Sequence, residues 1–160
     1  MNSATTEANP TGTNPAEAAS TGVITTDVVE TEISTAALEP DVITDTCGAV
    51  VSFSGVIRDH DGGRGVQGLH YEAHPLAAEQ IAEVAADIAA RHPQVRLSVV
   101  HRVGDLEIGD VALAAVVASA HRQDSFLACS ELIDEVKARV AIWKHQHFTD
   151  GSDEWVGALE

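Results

Sequence analysis

At 160 residues the chain has room for one domain and a tail, not for two full domains. Its 25 acidic and 9 basic side chains give a formal charge of −16, which excludes a general nucleic-acid binder, because that binding rests on Lys and Arg neutralising phosphates. No apolar run reaches the length of a membrane span, the start MNSATTEANPTGTNP has neither the basic nor the apolar region of a secretory signal, and Cys47 and Cys129 lack the spacing of a zinc site or disulfide framework, so the expectation is a cytoplasmic protein.

Residues 1–22 are Ala, Thr, Ser, Asn, Glu, Gly and Pro with almost nothing to bury, and are expected to be a disordered acidic tail ahead of a domain over 23–160. Ile24–Ser34 alternates in part and predicts a half-exposed strand. Thr35–Asp45 predicts a short helix or turn interrupted by Pro40. Gly48–Ile57 (GAVVSFSGVI) is rich in β-branched residues and reads as a buried strand. The three glycines of DHDGGRG (59–65) predict a flexible loop. Val66–Ala73 alternates, with Leu69 and Tyr71 opposing His70 and Glu72. Pro75 then opens a helix with Leu76, Ile81, Val84, Ala85 and Ile88 on one face, and Pro93 closes it. Val95–Val103 predicts a strand, GDLEIGD a turn, and Val111–Ala120 a nearly all-apolar central strand. A helix follows from about Arg122 to Arg139, with Phe126, Cys129, Leu132, Ile133 and Val136 facing the core. Ala141–Phe148 and Glu154–Ala158 are the last strands, joined by the turn TDGSD. Two main helices and about seven strands predict an α+β domain.

The scarce cations invite an explanation. His101-Arg102 and His121-Arg122 stand at the ends of apolar strands, and the second pair also opens a helix, where free N–H groups and the helix dipole favour an anion. Arg58 ends a strand and enters the glycine-rich segment. Ligands bind at such strand ends, yet each Arg alone would serve equally well as the surface partner of a carboxylate. Lys137, near a helix end, fits a cation that stabilises the helix dipole, and Lys144 fits an exposed strand residue. Crowded by other cations, either lysine would lose proton affinity and become a better nucleophile or base. The eight histidines do not compose a metal site. His145 and His147 share a strand face and His70 and His74 are four apart on a strand, but there is no HExxH and no grouped carboxylate. Gly62, Gly63 and Gly65 match neither a P-loop nor a dinucleotide fingerprint, and Ser52, Ser54, Ser119 and Ser125 lack a nucleophile-elbow context.

Five segments in order carry a resemblance: GAVVSFSGVIRDH at 48–60, LHYEAH at 69–74, HRVGDLEIGD at 101–110, SAHRQDSF at 119–126 and KARVAIWKHQHFTDGSDEW at 137–155. From about Ile24 to Gly157 the chain resembles the catalytic (large) subunit of molybdopterin synthase. The resemblance implies an α/β hammerhead-type fold, a homodimer, and a heterotetramer with a small ubiquitin-like sulfur-carrier subunit ending in a Gly-Gly thiocarboxylate. It implies sulfur transfer from that thiocarboxylate to cyclic pyranopterin monophosphate, forming the molybdopterin dithiolene, with no cofactor. Carried over by position, Lys137 and Lys144 match the family's catalytic lysines. Arg58, His121 and Arg122, with His101 and Arg102, match substrate-binding positions. Two residues depart from the family pattern: Ala141 stands where Pro is usual and Gln146 where Glu is usual. A non-catalytic scaffold that docks a ubiquitin-like carrier is the alternative from another class, separable by whether bound carrier is turned over.

Overall fold

The computed structural model describes residues 22–157. The expected tail lies outside these residues except for Gly22, which opens the first strand. Among the described residues there are nine strands and three helices: the two main helices, the short element expected at 35–45, here a helix, and two strands more than the sequence predicts. In chain order they are β1 (Gly22–Val29), α1 (Thr35–Val42), β2 (Ala49–Val56), β3 (His60–Asp61), β4 (Arg64–Ala73), α2 (Ala77–Arg91), β5 (Arg96–Arg102), β6 (Gly104–Leu106), β7 (Val111–Ser119), α3 (Arg122–Arg139), β8 (Ile142–Phe148) and β9 (Asp153–Val156). No helix among them is long and apolar enough to cross a membrane.

One sheet runs β1-β5-β7-β2, with β1 parallel to β5 and the other pairs antiparallel. Its interior strand β7 (VALAAVVAS) is apolar without alternation because both of its faces are covered. Leu113, Ala115 and Val117 pack under α2 and α3 with Leu97 and Val99, while Val116 and Ala118 meet Val42 of α1 on the opposite face. Pro40 lies within α1 rather than breaking it. The Ser34 hydroxyl caps the helix by accepting from the Ala37 N–H at 3.2 Å, and the buried Val42 anchors its end. The expected buried strand at 48–57 is instead an edge strand, exposed at Val50, Ser52, Ser54 and Val56 and half-buried between them.

The second sheet runs β3-β4-β8-β9, with β6 also on β4. The expected flexible loop at 59–65 is a tight hairpin. Asp61 pairs with Arg64, and Gly62 and Gly63 between them take φ of 56° and 77°. Two consecutive positive φ values make the two-residue turn that suits a twisted hairpin, and glycine adopts them without steric cost. Ile81, Val84, Ala85 and Ile88 of α2 face the core as the spacing predicts; Ala77 is buried where Leu76 is expected, and Leu76 and Phe126 are largely exposed. The rim between α2 and α3 is tied by Arg139 to Asp87 at 2.8 Å and by His92 to Glu131 at 3.0 Å.

Candidate active site

β8 alternates cleanly. Ile142, Gln146 and Phe148 are buried, Lys144 shares their face, and Trp143, His145 and His147 point the other way. In the pairing with β4, Lys144 stands opposite Tyr71 and Gln146 opposite Leu69. Only Val140 and Ala141 separate α3 from β8, so the last turn of the helix brings Lys137 to the same wall as Lys144. Two cavities meet there. One, of about 200 Å³, is lined by Leu113, Val136, Val140 and Ile142 with His101. The other, of about 320 Å³, is lined by Arg58, His60, Asp61 and Gln146. Tyr71, Lys137 and Lys144 line both and form the shared wall.

Asp61 is the electrostatic hub of the polar cavity. Arg58 donates to its Oδ1 at 3.0 Å, Gln146 Nε2 donates to its Oδ2 at 2.7 Å, and Lys144 Nζ stands 3.8 Å from Oδ2. The Gln146 hydrogen bond, with the charges of Lys144 and Arg58, holds the carboxyl below the usual aspartate range. Across the wall, His101 Nδ1 lies 2.8 Å from the Arg102 carbonyl oxygen. A carbonyl only accepts, so Nδ1 carries the proton and Nε2 is left with a lone pair. Burial holds this imidazole below its usual pKa; the carbonyl bond opposes that shift and the Lys137 charge adds to it. Tyr71 sets its ring edge-on to His101 with centroids 5.2 Å apart, and burial raises its phenol.

Four of the seven residues singled out in the sequence therefore converge: Arg58, His101, Lys137 and Lys144. Arg102 does not. Successive strand residues point to opposite faces, so with His101 in the cavity Arg102 turns away, only 14% exposed, and pairs with Asp110 at 3.5 Å. His121 and Arg122 do not join them within the chain. They are exposed at the start of α3 beside a separate cavity of about 650 Å³, with Phe126 and Leu127. Fifteen residues of helix at 1.5 Å each put Arg122 about 22 Å from Lys137.

Residues 28–139 match the family model described as MoaE protein. The chain belongs to the MoaE family. A molybdopterin synthase catalytic subunit from a Nostoc strain is 39% identical over 117 residues, which span 71% of each chain. The crystal structure of molybdopterin synthase from Staphylococcus aureus superposes with a TM-score of 0.76 at 34% identity, covering 81% of this chain and 95% of that one. A Helicobacter pylori chain, solved as a complex of subunits 1 and 2 of molybdopterin-converting factor, shares the fold with a TM-score of 0.62 at 20% identity over 88% of this chain and 91% of its own.

The two departures from the MoaE family pattern each have a local partner. The Ala141 N–H, which a proline would lack, donates to Gln80 Oε1 at 2.8 Å. Gln146 supplies the amide that binds Asp61. Asp61, Tyr71 and His60 also line the cavities, though none is among the candidates that the sequence points to. Tyr71 was legible as the inward residue of an alternating strand. Asp61 would have been legible had the Gly-Gly pair been taken as a hairpin turn, since that places the aspartate on a strand beside β4 and β8.

Proposed function

We propose that the two adjoining cavities are the sulfur-transfer centre of a molybdopterin synthase catalytic subunit. The observation that carries this reading is the shared wall: Lys137 and Lys144 stand together between a polar chamber and an apolar one. A phosphorylated pterin and a thiocarboxylate are both anions, and they approach one another only where fixed cations offset their repulsion. In this reading the polar chamber takes cyclic pyranopterin monophosphate, with Arg58 toward its phosphate. The apolar chamber takes the C-terminal tail of a small sulfur-carrier subunit. Among the described residues no carboxylate pairs with Lys137, so its ammonium is free to polarise the thiocarboxylate and to move a proton as sulfur is transferred. Lys144, partly neutralised by Asp61, orients the pterin, and neutral His101 offers Nε2 as an acceptor beside Lys137.

His121 and Arg122 enter this reading from a second copy of the chain, because about 22 Å of helix separates them from Lys137 in their own. A homodimer that sets one protomer's α3 start over its partner's polar chamber gives the pterin phosphate a second arginine. That the Helicobacter pylori chain was solved as a complex of subunits 1 and 2 is in keeping with a second, small subunit as partner. Free thiols at Cys47 and Cys129 suit the reducing cytoplasm. Incubating the chain with thiocarboxylated carrier and cyclic pyranopterin monophosphate, then oxidising the product to its fluorescent derivative, tests the assignment. Lys137→Ala is expected to reduce conversion by about 10²–10³-fold, the scale for removing one preorganised electrostatic group. Full conversion by that variant overturns the role of Lys137, and carrier binding without any turnover by the unaltered chain leaves a scaffold instead of an enzyme.

A further inference from the structure

Asp61 poses a problem for a cavity that receives anions. It is the one carboxylate lining the polar chamber among the described residues, and a fixed negative charge there opposes the entry of a phosphate. Its two oxygens are nevertheless divided between defined partners. Oδ1 accepts from Arg58 at 3.0 Å and Oδ2 from Gln146 at 2.7 Å. Lys144 Nζ lies 3.8 Å away, within ion-pair reach but beyond a hydrogen bond. Its ammonium is thus drawn to one place while its N–H groups stay available to a ligand.

Both supports of this carboxylate are stiff. Asp61 sits on a hairpin closed by two glycines, and Gln146 is only 2% exposed on an interior strand. The amide at 146 also has the chemistry the place requires. It gives an N–H to the carboxylate and adds no charge. A second carboxylate at the same distance could not stay ionised beside the first, and a shared proton would weaken the hold on both cations. The remaining groups facing the cluster are Tyr71 from β4, Lys137 from α3 and His60 beside Asp61 on β3.

We propose that Asp61 is a positioning residue for the sulfur-transfer reaction, holding Arg58 and Lys144 at the cavity wall, with Gln146 as the neutral clamp that fixes it. The proposal rests on the reading of the cavities as that reaction's centre. It makes acid and amide interchangeable: combining Asp61→Asn with Gln146→Glu keeps one hydrogen bond and one negative charge in the same gap.

The test compares Asp61→Asn, Gln146→Glu and the double swap in the complete complex with carrier. Asp61→Asn is expected to lower kcat about tenfold while KM for the pterin changes less than about threefold. Gln146→Glu is expected to approach the unaltered enzyme at acidic pH, where its carboxyl pair holds one proton, and to lose activity relative to it as pH rises. The swap is expected to recover kcat to within about threefold and to restore the original pH profile. An Asp61→Asn enzyme with unchanged kcat overturns the proposal. So does a swap no better than the worse single variant while melting at the same temperature as the unaltered protein. An arm independent of turnover follows the Lys144 ammonium by NMR with labelled lysine. Its signal at one fixed pH should shift in Asp61→Asn and return in the swap; a signal that Asp61→Asn leaves unmoved overturns the positioning role. If the unaltered complex makes no dithiolene, the reading of the reaction fails, while the lysine signal still reports whether Asp61 holds Lys144.

Discussion

β7 and β8 are both interior strands, each hydrogen-bonded on two sides, yet they are built from different residues for different ends. β7 (VALAAVVAS) is buried from Ala112 to Ser119, because helices cover it above and below. Its one hydroxyl, Ser119, is held by Ser125 at 2.6 Å and by the His121 carbonyl at 2.7 Å. β8 (IWKHQHF) alternates, and even its inward face interleaves Lys144 and Gln146 with Ile142 and Phe148. A strand sealed on both faces has no room for a charge without a partner, so it supplies rigidity. A strand beside two cavities can carry a lysine that stays wet enough to remain charged and fixed enough to be aimed. The fold keeps most of its cohesion on one sheet and the site's Lys144, Tyr71 and Asp61 on the other, and α3 joins them, packing on the first and delivering Lys137 to the second.

Two truncations on that helix, little more than one turn apart, are the strongest way to break the comparison. Leu132 is fully buried in the main core, and Leu132→Ala is expected to cost about 2–5 kcal/mol in urea denaturation. Lys137→Ala should remove turnover, as argued above, yet leave the denaturation midpoint close to that of the unaltered chain. Equal destabilisation by the two variants would make Lys137 a structural residue and erase the division between sheets.

A smaller effect sharpens the boundary, where β5 of the first sheet sends His101 into the cavity. Its folded pKa is depressed, chiefly by burial, below the usual 6.5. As pH drops through that value the unfolded imidazole takes up a proton and the folded one does not. Stability present at neutral pH is therefore lost below about 6.5, and the loss is complete once pH passes the folded value. Glu131, whose carboxyl is lowered mainly by the His92 hydrogen bond, acts the same way only below its usual 4.5. Urea denaturation between pH 5 and about 7.5 separates the two, since His101→Gln should flatten the slope in that range. An unchanged slope assigns the loss to other groups.

The legible part of the molecule was the part whose sequence pattern is set by one neighbour at a time. α3 runs Arg122–Arg139 as its periodicity predicts, and β7 declared itself by an unbroken apolar run. What could not be read depends on position within the whole. The run at 48–57 looks buried, but β2 lies at a sheet edge, where Val50 and Val56 face outward. Phe126 sits on the expected face of α3 by count, yet the buried stripe runs through Ser125, Ala128, Cys129, Leu132 and Val136, and Phe126 lies at its margin, 60% exposed. The site was half legible for the same reason. Residue types and motifs brought forward Arg58, His101, Lys137 and Lys144. Helix length and strand alternation decided that His121 and Arg122 stand at the far end and that Arg102 turns to Asp110.

The smallest expected effect lies where α3 passes the chain to β8. Val140 ends the helix at φ −88° and ψ 119°, the extended conformation that a residue before proline adopts. Val140 therefore does not oppose a proline at 141, which would lose the N–H that Gln80 Oε1 accepts at 2.8 Å. Losing that bond costs about 1 kcal/mol, and restricting the unfolded chain returns about 0.4–1 kcal/mol, so Ala141→Pro should destabilise by no more than about 0.6 kcal/mol. Gln80→Ala in the original chain should cost about 1 kcal/mol. In the proline background it should cost almost nothing, since its partner is already gone. That coupling, read from urea denaturation of the four chains, isolates one hydrogen bond at the junction. If Gln80→Ala costs the same in both backgrounds, the side chain does not hold the entry to β8, and Lys144 owes its placement to the strand pairings with β4 and β9.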